Sequence, residues 1–153
     1  MRTYILKKES IVKAPLAAVW KFFSDPHNLV KITPDYMKFQ VLKCPDVEEV
    51  YDGMLIEYRV RPILNYPMKW ITLIKKVAPL QYFTDTQISG PYALWEHTHF
   101  FEETTEGTKM IDEVKYALPL GVLGTIAHTL FVKKQLEGIF NYRERVIDAI
   151  FKN

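Results

Sequence analysis

The chain changes character once, at Pro119-Leu120-Gly121. Upstream, residues 37–118 read as a succession of β-type segments with no long helix among them. Downstream, to Asn153, apolar residues recur at helical spacing with no proline, and the only further glycines are Gly124 and Gly138. One large antiparallel sheet and one long helix close in few ways. The twisted sheet wraps around the helix, and such a wrap leaves a cavity between the two. The expected class is α+β, and the expected cavity is the first clue to what the chain does.

The rest of the chain fits this plan. A strand is expected over 3–13, with Tyr4 and Leu6 on one side. Ala14-Pro15 opens a helix whose apolar face is Val19, Trp20, Phe22 and Phe23, and Ser24-Asp25-Pro26 stops it. Residues 28–32 form a short helical turn closed by Thr33-Pro34. Strands follow at about 37–44, 53–62, 66–78, 81–89, 92–103 and 108–118, separated by turn chemistry such as Asp52-Gly53, Gly90-Pro91 and Glu106-Gly107. The order is β-α-α-β-β-β-β-β-β-α, about seven strands, with no linker or repeat, and residues 1–153 are expected to form one domain. In the last helix Leu123, Ile126, Leu130, Val132, Leu136, Ile139, Phe140, Ile147 and Ile150 are expected to face the sheet, approached closely through Gly121 and Gly124.

Hydrophobic residues make up 48% of the chain and aromatic ones 14%, a share suited to lining an apolar cavity. The formal charge of +2, with its cations dispersed, argues against a nucleic-acid partner. Cys44 is the only cysteine, so no intrachain disulfide forms and a reducing compartment is expected. The first nine residues lack the apolar core of a signal peptide, and no stretch reaches the ~20 apolar residues of a membrane span. Cytoplasmic localisation is the expectation.

Chemistry concentrates on one face of the sheet. Glu113 and Lys115 should face water, which turns Met110, Asp112, Val114, Tyr116 and Leu118 inward. On the preceding strand Trp95, His97, His99 and Phe101 share a face, and on the one before it Phe83, Asp85 and Gln87 do. Pairing Phe101 with Met110 sets His99 opposite Asp112 and Trp95 opposite Tyr116. Pairing Gln87 with Trp95 sets Asp85 opposite His97. Two His–Asp pairs then lie together, although a slip of one residue would dissolve them. They can be structural, each imidazole satisfied by a carboxylate. They can also serve a ligand or act as acid and base, with Tyr116 donating to a developing oxyanion. His-x-His beside a carboxylate is compatible with a metal but unspecific, and we expect no metal and no cofactor. His128 can reach the same cavity from the last helix, Trp70 can stack on a ligand or simply pack, and Arg143 is read as a structural hydrogen-bonding group. Phe22, Phe23, Leu29 and Ile32 can form a lid over one end. No Ser-His-Asp or Cys-His arrangement and no glycine-rich phosphate loop is present in context.

Several segments together carry a resemblance. Val19-Trp20-Lys21-Phe22-Phe23-Ser24-Asp25-Pro26, Asp85-Thr86-Gln87, Gly90-Pro91-Tyr92, Trp95-Glu96-His97-Thr98-His99-Phe100-Phe101, Asp112-Glu113-Val114-Lys115-Tyr116 and Leu118-Pro119-Leu120-Gly121 resemble the START-like, or SRPBCC, superfamily. That group includes polyketide cyclase/dehydrase-like and coenzyme-Q-binding-type proteins, and the match is nearest to its small bacterial ligand-binding members. The resemblance covers essentially the whole chain. It implies a helix-grip fold, a curved sheet wrapped around a C-terminal helix, and a hydrophobic cavity between them. It implies no reaction, because the same scaffold serves carriers, sensors and enzymes. The expected partner is a small hydrophobic molecule, lipid, quinone or polyketide-like, held by Trp70, Gln87, Trp95, His97, His99, Asp112, Tyr116, Phe23 and His128. The alternatives are a cyclase-, dehydratase- or isomerase-type enzyme using His97, His99, Asp85, Asp112 or Tyr116, and a regulatory interaction module.

Overall fold

Period-two alternation and hairpin chemistry generate most of the architecture. In the computed structural model, which describes residues 1–152, the strands are β1 (Thr3–Val12), β2 (Gln40–Lys43), β3 (Leu55–Val60), β4 (Met68–Ala78), β5 (Tyr82–Ser89), β6 (Leu94–Thr104) and β7 (Gly107–Ala117). They form one seven-stranded antiparallel sheet in the order β1-β7-β6-β5-β4-β3-β2. Successive strands pair as hairpins, and β1 returns to the free edge of β7. The second strand is shorter than the expected 37–44, because a single 3-10 turn (Asp35–Met37) occupies its beginning.

Glu106-Gly107 illustrates how a turn fixes tertiary structure. Gly107 adopts φ +137°, and a β-carbon there would collide with the carbonyl oxygen of Val12. Only glycine lets the β6–β7 hairpin lie this close to the end of β1. Thr108 Oγ1 seals the junction by donating to the Ala14 carbonyl at 2.9 Å.

Between β1 and β2 the chain forms α1 (Leu16–Phe23) and a 3-10 helix (Pro26–Ile32). Asp25 caps the latter by accepting from the His27 amide at 2.9 Å. Trp20 anchors α1 to the sheet, edge-on to Phe83 and Phe101 at centroid distances of 5.8 and 5.2 Å, and its Nε1 donates to Glu49 Oε1 at 2.9 Å.

After β7 the chain is helical from Gly121 to Ile150: α2 (Gly121–Ala127), a π-helical turn (His128–Val132) and α3 (Lys133–Ile150). This departs from the uninterrupted α-helix that the sequence suggested, and the apolar stripe departs with it. Leu123, Ile126 and Leu130 do not face the sheet; they are 66%, 50% and 61% exposed, and Ile150 is exposed as well. The buried line is Gly124, His128, Val132, Leu136 and Phe140, stepping by four. A strict α-helix would drift off such a line, and the wider π turn keeps it aligned. Gly124 is required on it, because a β-carbon would strike the Pro119 carbonyl oxygen.

Candidate functional site

The curved sheet and α3 enclose a cavity of about 220 Å³. Leu136, Ile139 and Phe140 of α3 form one wall. Trp70 and Trp95, perpendicular at 5.2 Å between centroids, belong to the sheet wall. Phe22 and Phe23 of α1 and Leu29 and Ile32 of the 3-10 helix line it at the end where the N-terminal segment packs. Gln135 Nε2 donates to the Pro62 carbonyl at 2.6 Å, tying α3 to the β3–β4 loop beside the cavity.

Polar side chains line this apolar space at several points, Asp25 and Asn28 at the N-terminal end and Gln135 on α3 among them, and the titratable groups of the sheet gather at one. Strand alternation sends Asp85, His97, His99 and Asp112 to the concave face of three adjacent strands. The observed registers oppose Asp85 to His97 and His99 to Asp112, as the alternation indicated. The β5–β6 ladder stops at Thr86–Glu96, one residue short of the expected Gln87–Trp95 pair.

The short contacts, however, are not between opposed residues. His97 Nε2 lies 2.8 Å from Asp112 Oδ1, and His99 Nε2 lies 2.7 Å from Asp85 Oδ2. The directly opposed pairs are longer, 3.3 Å for His99 Nδ1 to Asp112 Oδ1 and 3.7 Å for His97 Nδ1 to Asp85 Oδ2. The expected His99–Asp112 hydrogen bond is thus replaced by a crossed arrangement. Sheet twist brings one diagonal of each cross-strand set within reach of long side chains, while the opposed imidazole points past its partner. The two imidazoles stack at 3.7 Å between centroids.

These four groups titrate as a unit. Burial raises a carboxyl pKa, yet the neighbouring imidazoles outweigh it for both acids, and Asp112 is held far below the usual carboxylate range. Burial also opposes charge on His99, but the hydrogen bonds and attraction of Asp112 and Asp85 outweigh it and raise its pKa. For His97 burial and the adjacent His99 prevail, and its pKa is lowered.

Arg143 joins the cluster without touching it. It lines the cavity, its guanidinium lies 5.0 Å over the Phe140 ring, and its Nε is buried with no hydrogen-bond partner. Among the described residues it forms no ion pair, so it is not the structural hydrogen-bonding group that the sequence suggested. Its position was legible all the same, since Leu136, Phe140, Arg143 and Ile147 share the inward spacing of α3.

Four expected ligand contacts, Gln87, Tyr116, His128 and Asp112, lie elsewhere. Gln87 does not line the cavity, because its side-chain amide is committed to the Tyr92 backbone, donating to its carbonyl at 2.8 Å and accepting from its amide at 3.0 Å. Tyr116 and His128 do not line it either. They meet each other at 2.7 Å between Tyr116 Oη and His128 Nε2, with Tyr4 stacked on His128 at 3.5 Å. His128 reaches the sheet, as expected, but at a separate place. Asp112 lies behind His97, on a small cleft beside Lys8 and Glu144. Phe23, Trp70, Trp95, His97, His99 and Asp85 do line the cavity.

Asp85, His97 and His99 are also a group that can hold a metal ion, their ligand atoms lying within 4.8 Å of one another. The 2.7 Å contact of His99 Nε2 with Asp85 Oδ2 already joins two of those atoms as a hydrogen bond. A metal would have to replace that bond, with the Arg143 cation close by.

This arrangement defines a helix-grip fold whose mostly apolar cavity carries a titratable cluster on its sheet wall. No family model matches the chain, and no curated protein matches it. Solved structures do. A Chromobacterium violaceum protein superposes with a TM-score of 0.74 at 12% identity, covering 97% of this chain and 98% of that one. The major latex-like protein 151 of Panax ginseng gives a TM-score of 0.71 at 13% identity, with 99% of both chains covered. A nucleoside-diphosphate sugar epimerase from Corynebacterium glutamicum gives 0.69 at 19% identity, matching 94% of this chain but only 28% of its own. These likenesses establish the fold.

Proposed function

We propose that the protein binds one small, mostly apolar molecule between the sheet and α3, with the polar end of that molecule against Asp85, His97 and His99. The observation that carries this reading is the cavity itself, apolar over most of its lining, with a cluster of titratable groups on the sheet wall. Burial of ligand surface at roughly 25 cal/mol per Å² supplies affinity, less the costs of association. The polyketide-, quinone- or lipid-like classes implied by the sequence resemblance all present such an amphipathic outline. Native mass spectrometry after gentle purification tests it. A retained small molecule, lost on solvent extraction, is the expected result. A mass equal to that of the bare chain, together with no uptake of any aromatic probe, would overturn it.

A second reading is acid–base catalysis of the cyclase, dehydratase or isomerase kind. It is favoured by the access of His97 and His99 to the cavity, each backed by a carboxylate. Turnover of a bound molecule after native extraction, abolished by His97→Gln, distinguishes it from simple carriage.

A further inference from the structure

Several polar side chains that line the cavity are already engaged. Asn28 Nδ2 donates to the Phe22 carbonyl at 2.9 Å, and Gln135 Nε2 donates to the Pro62 carbonyl at 2.6 Å. Asp25 and Asp85 each contact a histidine nitrogen, at 2.8 and 2.7 Å. Tyr58 and Tyr92 also line the space, and a phenol can donate or accept.

Arg143 is different. Among the described residues it is the only lining side chain with a permanent positive charge, and it makes no hydrogen bond and no ion pair. Asp112 and Asp85 attract its charge, but each of those carboxylates is bonded to a histidine instead. Arg143 also borders the cleft beside Lys8, where Glu144 pairs with Lys8 at 2.8 Å and leaves it no partner. Its Nε is sealed from solvent, whereas its Nη groups are not. The guanidinium is held 5.0 Å over the Phe140 ring, so its fork is positioned before any ligand arrives. A guanidinium carries five N–H donors and no acceptor. An enclosed cation without an acceptor is unfavourable, and a ligand that supplies one gains accordingly.

We propose that Arg143 holds the polar end of the ligand, and that this end is a carbonyl or carboxylate oxygen on an apolar body. The assignment rests on the binding role proposed above. It needs no choice of histidine tautomer, because a guanidinium donates in every protonation state of its neighbours. A hydrocarbon of the same shape fills the cavity but leaves the fork unpaired. An ammonium brings only donors and is repelled by the cation.

Calorimetry at pH 7 with 2-ethylnaphthalene, 2-acetylnaphthalene, 2-naphthoate and 2-naphthylmethylammonium tests this on the unmodified chain. The acetyl compound should bind about tenfold or more tighter than the ethyl compound, the worth of a hydrogen bond to a charged group. Naphthoate should also exceed the ethyl compound, and the ammonium should not. In Arg143→Met the preference for an oxygen should vanish while the ethyl compound still binds. The melting temperature of that variant should stay level or rise, because it removes a cation that has no partner. Arg143→Lys keeps the charge without the fork and should retain part of the preference. A lowered melting temperature with selectivity unchanged would make Arg143 a structural group and refute the proposal. Equal affinity for the acetyl and ethyl compounds in the unmodified chain would overturn the assignment and leave the cavity reading intact. Tightest binding by the ammonium would overturn it in favour of Asp85 as the contact. Binding of none of the four would sink both.

Discussion

The concave face of the sheet carries two buried imidazole clusters that differ in charge and in access. At one, His97 and His99 stack on each other and share Asp85 and Asp112. At the other, His128 is stacked on Tyr4 and bonded to Tyr116, with no acid in contact. All three imidazoles are more than nine-tenths buried. Only the first cluster lines the cavity, and only the first contains formal charge. A buried histidine is therefore not by itself a site. What separates the two is a set of charged groups opening onto the cavity, against a neutral pair packed among aromatic rings. The difference also predicts opposite responses of the two clusters to pH, because carboxylates hold a proton on one and burial strips it from the other.

The largest effect should come from Asp112→Ala. It removes the hydrogen-bond partner of His97 and the second carboxylate beside His99, leaving buried groups uncompensated, and should cost about 3–5 kcal/mol in urea unfolding. A cost below about 1 kcal/mol would mean that the cluster is solvated and resembles an exposed ion pair.

Opposite pH limbs come next. Native His99 holds its proton more tightly than the unfolded chain, so its contribution is complete below the ordinary value of about 6.5 and lost as pH rises through the raised native pKa. Native His128 has its pKa lowered by burial, then by Lys133 and Arg2. Its contribution is complete above about 6.5 and lost as pH falls through the lowered native value. Melting temperatures from pH 5 to 9 should show His99→Gln flattening the alkaline limb. His128→Gln should reduce the slope of the acid limb, where His97 also contributes. A tenfold difference in proton affinity between the folded and unfolded chain is worth about 1.4 kcal/mol. Identical profiles for the two variants would erase the distinction between the clusters.

The smallest effect is assigned to Tyr116→Phe. It removes one hydroxyl, whose pKa is pushed up to about 12 chiefly by burial, and one hydrogen bond to His128. The expected cost is about 1 kcal/mol. Uptake of an aromatic probe by the cavity should be unchanged, since neither residue lines it. A clear loss of uptake would show the two clusters to be one.

Period-two alternation, turn chemistry and the break at Pro119 determined the sheet, its concave face and the residues on it, because these are local properties that survive any docking of the elements. Trp95, His97, His99, Asp85 and Asp112 share a face for that reason alone. Which imidazole bonds which acid was decided only in three dimensions, since strand twist selects a diagonal that register does not reveal. The fate of the last helix was likewise tertiary. Leu123, Ile126 and Leu130 have the spacing of a buried stripe, yet a π turn and the close approach of Gly124 to Pro119 present another line to the sheet. Gln87, Tyr116 and His128 stand on the inner face but are sealed from the cavity by their own partners. Facing inward is a property of the strand, whereas opening onto a cavity depends on what the rest of the chain leaves unfilled.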